Sequence, residues 1–118
     1  MKLVNLNVTT MIPGTKIEPA EPLWKRAPTR NNDGVILSDF MMVIPKLKLK
    51  PLHVIKGVIR EIERVLTYYE KQVVFADLNL KLNILWVTVQ PVPGICADVA
   101  AAIHHRVPEA KLIASKIN

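Results

Sequence analysis

Most of the residues that advertise chemistry are scarce in this chain. Cys96 is the single cysteine among 118 residues, so an internal disulfide framework is excluded. There are four glycines, and neither GxGxxG nor the Walker pattern occurs, so no glycine-rich phosphate loop can be assigned. The stretch Pro91-Val92-Pro93-Gly94 precedes a helix and could offer amides to an anion, but with one glycine it reads as a strand-to-helix turn. Aromatics make up 5% of the chain. The expected central strands hold Phe40 and Trp86 and no match to the RNP1 pattern, so a base-stacking platform is not written in the sequence. Asp39, Asp77 and Asp98 are scattered and propose no paired carboxylates. No catalytic set and no cofactor is therefore expected, and the chain reads as a non-enzyme.

Long apolar runs are also missing. None approaches the roughly 20 residues that span a bilayer, so no membrane insertion is expected. The opening MKLVNLNVTTMIPG has neither the apolar stretch nor the small-residue cleavage pattern of a leader. With one cysteine and no leader, a cytoplasmic location is the expectation.

What is present is apolar bulk and positive charge. Half the residues are hydrophobic, enough for one domain with its own core and too few residues for two. The formal charge of +6 is spread as +2 over residues 1–33, +3 over 34–71 and +1 over 72–118. Its densest piece is Lys46, Lys48 and Lys50 in PKLKLKP, followed by Lys56, Arg60 and Arg64.

Hydrophobic period assigns the elements. In residues 3–12, Val4, Leu6 and Val8 alternate with Asn5, Asn7 and Thr9, the pattern of a half-buried strand. Residues 13–33 hold four prolines and close on Asn31-Asn32-Asp33-Gly34, so residues 1–33 form a strand and a Pro-rich arm ahead of a domain at 34–118. VILSDFMMVI at 35–44 reads as a strand buried on much of both faces, interrupted by Asp39 and stopped by Pro45. From 51 to 70, Ile55, Val58, Ile59, Ile62, Val65, Leu66 and Tyr69 recur at helical spacing, with Pro51 suited to the first turn. Residues 73–80 and 84–90 are expected as a hairpin, with Leu78, Leu80, Leu82 and Ile84 on one side. No Asn-Gly or Asp-Gly marks the reversal, so one bent strand is the alternative. A helix over 95–106 should bury Ile95, Val99, Ala102 and Ile103, and 110–117 closes as a strand.

The order from residue 35 is βαββαβ, so the expected fold is α+β: a ferredoxin-like sandwich, antiparallel sheet with two helices on one face, plus the N-terminal strand and arm. That strand could join an edge of its own sheet or reach a neighbouring subunit. One sheet face is left open, yet Val87 and Val89 beside Trp86, and Met41 and Val43 beside Met42, place apolar residues at both alternations. Something should cover that face. A partner subunit, or an arm carrying Leu23 and Trp24, would serve, which makes Leu23, Trp24 and Trp86 the candidate interface residues. A larger monomer core is the plainer explanation.

Two further candidate sets come with plainer explanations of their own. Lys56, Arg60 and Arg64 fall on one helix stripe, which Lys46, Lys48 and Lys50 could extend into a phosphate-binding surface; Glu63 within it and Glu61 beside it suit an ordinary solvated face. Cys96, His53, His104 and His105 are metal-ligating types, with Cys96, His104 and His105 the candidates, but Cys-x7-His-His is not a zinc spacing and adjacent helical side chains diverge by about 100°. Along one helix His104 would also lie about 12 Å from Cys96, too far to serve as its base. Three functions therefore stand in order: a self-associating or docking subunit, an RNA- or DNA-binding accessory domain, and a small-molecule or metal sensor with its site at a subunit interface.

Overall fold

The structure, a computed structural model, describes residues 6–9 and 28–116. In chain order the elements are β1 (Asn7–Thr9), β2 (Ser38–Val43), a 3-10 turn (Leu47–Leu49), α1 (Leu52–Tyr68), β3 (Val73–Asn79), β4 (Ile84–Val89), α2 (Ile95–Arg106) and β5 (Lys111–Lys116). The molecule is a mixed α+β domain with a five-stranded sheet in the order β1-β3-β4-β2-β5. Strands β2 to β5 pair antiparallel, and β1 adds to the outer edge of β3 in parallel. The order thus departs from a plain four-stranded βαββαβ sheet by one strand, which joins its own sheet. Leu23 and Trp24 of the arm lie outside the described residues.

One face of the sheet makes the core. Phe40, Met42, Leu78, Leu85, Val87 and Val89 are at most 1% exposed and form one cluster with Ile55, Ile62, Val65 and Leu66 of α1 and Ile95, Val99, Ala100 and Ile103 of α2. In α2 the fully buried alanine is Ala100, not the expected Ala102, which is only partly covered. Helix α1 begins as its sequence requires: the carbonyl of Pro51 accepts the amides of Val54 and Ile55, and the proline contributes no unpaired N–H of its own. Gly94 precedes α2 at φ 78°, the left-handed conformation that glycine adopts without steric cost.

The hairpin is real, and its turn explains why the sequence hid it. Asn79 Oδ1 accepts the amides of Lys81 and Leu82, and Asn83 takes φ 58°, so two asparagines do the work expected of an Asn-Gly pair. The expected one-sided row Leu78, Leu80, Leu82, Ile84 does not hold. The four-residue turn breaks the alternation, leaving Leu82 58% exposed and placing Ile84 beside Asn79 on the face opposite Leu78. A bulge at Val74 performs a similar reset in β3, so that Val73, Ala76 and Leu78 point into the core while Phe75, Asp77 and Asn79 point away.

Candidate functional site: the open face of the sheet

The sheet face away from the helices is built in three cross-strand rows. Phe75, Thr88 and Asp39 form one, Asp77, Trp86 and Met41 the next, and Asn79, Ile84 and Val43 the third. Phe75, Trp86, Met41, Ile84 and Val43 are half-buried, and none belongs to the core cluster or packs against it. This is the second apolar alternation that the sequence of β2 and β4 carried. Phe75 is a member that sequence reading missed, although it shares the alternation of Asp77 and Asn79.

Trp86 is held in a defined pose. Its indole N–H donates to Thr88 Oγ1 at 3.0 Å, which folds the ring back along its own strand over a threonine that is 2% exposed. Asp77, in the same row as Trp86, is also 2% exposed, and both Asp77 and Asp39 are engaged in interactions. The polar members are therefore satisfied, and the half-buried remainder of the centre is apolar.

The basic residues fall into two groups. Lys46, Lys48 and Lys50 frame the 3-10 turn that follows β2, where Lys46 takes φ 60°. This turn docks on the β3–β4 turn: the amide of Lys48 donates to Asn83 Oδ1 at 2.9 Å, the amide of Ile44 donates to the Asn83 carbonyl, and Lys48 Nζ reaches the Lys81 carbonyl at 3.5 Å. Lys56, Arg60 and Arg64 are exposed along α1, which starts just after the 3-10 turn, and Arg64 pairs with Glu61 at 3.0 Å. Glu61 also meets Arg106 at 3.7 Å, so the shallow groove between the helices, about 330 Å³ and lined by Arg64, Tyr68, Tyr69, His105 and Arg106, has its two guanidinium groups turned toward one carboxylate.

Cys96 and the histidines sit at opposite ends of α2. Burial, with the nearby Asp39 charge, pushes the Cys96 thiol up from its ordinary pKa, which is the reverse of nucleophile activation. Its sulfur lies 4.0 Å from the Asp39 carbonyl oxygen. His104 is a tether: Nδ1 lies 2.7 Å from the Ala110 carbonyl, which requires the proton on Nδ1 and ties the end of α2 to the start of β5. Among the described residues no three His, Cys, Asp or Glu side chains gather as metal ligands, and no helix is long and apolar enough to cross a membrane.

Compared with known protein families, curated proteins and solved structures, the chain has no significant match.

Proposed function

We propose that this chain is a non-catalytic subunit that works by self-association, with the open face of the sheet as its contact surface. The observation that carries the proposal is the apolar centre of that face, Met41, Val43, Phe75, Ile84 and Trp86, standing outside the core cluster. Topologically it is a ferredoxin-like split βαβ unit extended by β1; supporting this are the antiparallel order β3-β4-β2-β5 and the placement of a helix in each crossover.

Area brings the arm into the proposal. A five-stranded face three rows deep projects about 24 by 20 Å, or roughly 500 Å², at ordinary strand spacings. A specific interface needs about 800 Å² per partner. The chain leaves the sheet at Thr9, beside Asn79 on the outer edge, and is next described at Pro28, close to Leu37 at the other end of β2. Those ends are roughly 25 Å apart by strand geometry, whereas the intervening residues 10–27 could reach about 60 Å. The arm is long enough to add Leu23 and Trp24 to the contact, on its own sheet face or on that of a second copy.

The nucleic-acid alternative has less behind it, since Arg64 is paired, Glu63 interrupts the α1 stripe, and among the described residues no aromatic side chain flanks the lysines of the 3-10 turn. Light scattering on the full chain at low and high salt tests the main reading. An oligomer insensitive to salt that Trp86→Lys converts to a folded monomer supports it. A wild-type monomer at both salts overturns it.

A further inference from the structure

The end of the sheet where the 3-10 turn meets the β3–β4 turn combines exposed lysines with exposed leucines. Lys46, Lys48, Lys50 and Lys81 are all exposed there, and no acidic residue occurs in residues 40–60 or 78–90, the two stretches whose turns meet; among the described residues the nearest acid along β5 is Glu109, two residues before Lys111. Three leucines stand among these lysines with no core to enter: Leu49 is 74% exposed, Leu52 65% and Leu82 58%. Their exposure is fixed by the backbone. Leu47 is the anchor of the 3-10 turn, 2% exposed, and the hydrogen bonds from Lys48 and Ile44 to Asn83 clamp the two turns together, so Leu49 and Leu82 are held outward.

We propose that this tip is a docking surface for an anionic lipid bilayer, with the lysines at the headgroups and Leu49, Leu52 and Leu82 at the headgroup–acyl boundary. Charge complementarity selects the partner. Juxtaposed lysines without acids gain on an anionic leaflet, and exposed aliphatic side chains gain only where a partner offers hydrocarbon. A nucleic-acid strand satisfies the first condition and not the second: leucine does not stack on bases, and among the described residues neither an arginine nor an aromatic residue belongs to the tip. A protein groove could take the leucines, but four lysines at its rim would need a matching acidic ring, whereas a bilayer of anionic lipid supplies both chemistries in one surface. The tip is a pair of short turns, so the contact is peripheral and does not span. It also lies at the strand ends, apart from the open face, so substitutions separate the two surfaces.

The test is cosedimentation of the full chain with vesicles of phosphatidylcholine alone and with phosphatidylserine added, beside a fluorescent single-stranded RNA. Binding is expected to the phosphatidylserine vesicles and not to pure phosphatidylcholine, and to weaken with salt. Each lysine changed to Gln at 46, 48, 50 or 81 should lower partitioning about fivefold, the equivalent of ~1 kcal/mol per lysine near an anionic surface. Leu49→Ser with Leu82→Ser should lower it at least tenfold while circular dichroism and thermal midpoint stay at wild-type values, as expected of such exposed positions. Two results overturn the proposal: RNA binding without vesicle binding, or vesicle binding that the folded double-leucine variant retains in full, since the leucines would then have no part in it.

Discussion

The two faces of the sheet are made from the same strands and end in opposite states. In β2, Phe40 and Met42 are sealed under the helices, while Asp39, Met41 and Val43, their immediate neighbours, are half-buried on the other side. In β4, Leu85 and Val87 are sealed while Ile84 and Trp86 are not. Apolar content therefore does not distinguish the faces; among the described residues, the helices cover only one of them. A sheet that only had to fold could place polar residues at alternate positions of these strands, and this one places them at Asp39, Thr88, Asp77 and Asn79 around an apolar centre.

The largest expected effect lies on the covered face. Phe40→Ala should cost about 3–5 kcal/mol in urea unfolding, because a ring with no exposed surface leaves a cavity. Met41→Ala, one residue away, should cost about 1 kcal/mol or less in the isolated monomer and weaken association instead. Equal losses of stability at the two positions would erase the contrast between the faces.

A smaller effect is expected where the two turns are clamped. Asn83→Ala removes the acceptor for the Lys48 amide and puts alanine at φ 58°, so a loss of about 1–2 kcal/mol is expected from denaturant midpoints. It should also diminish vesicle binding if the clamp is what presents Leu49 and Leu82. The smallest effect concerns Cys96. Its raised pKa means that the folded state favours the protonated thiol, so this stabilisation is complete below the ordinary thiol pKa and is lost as pH rises through the folded-state value. Native alkylation by iodoacetamide near pH 8 should be slower than alkylation in urea, and Cys96→Ser should flatten part of the alkaline fall in stability. Faster native alkylation would contradict the burial seen here.

The periodic elements were legible in the sequence and the irregular ones were not. The helices, the three long central segments and the final strand follow from spacing, since burial on one side writes a period of 3.6 or 2 into the residues themselves. Bulges at Val74 and Ile113 and the asparagine-built turn leave no period, and each changes which face a side chain occupies. Ile84 was misplaced for that reason, whereas Phe75 was overlooked although plain alternation with Asp77 gives its side. Trp86 stood out because a large apolar residue alternated with others already committed to a core. The lysines of PKLKLKP were visible as charge, but their leucine neighbours were not, because Leu47 and Leu49 look alike in sequence and only the 3-10 turn sends one inward and the other out.

The parallel pairing of β1 with β3 has a consequence for how the chain assembles. Asn7 sits opposite Asp77, so the earliest strand of the sheet has no partner until roughly seventy more residues have been made and β3 is in place. On a ribosome β1 must wait through the synthesis of β2 and α1, and during that interval it is a short unsatisfied strand. Its late arrival closes the outer edge of β3, which would otherwise present a free row of amides and carbonyls to any other chain. The order of synthesis and the order of pairing thus differ at this edge: β1 is made first and becomes a seal only once β3 exists.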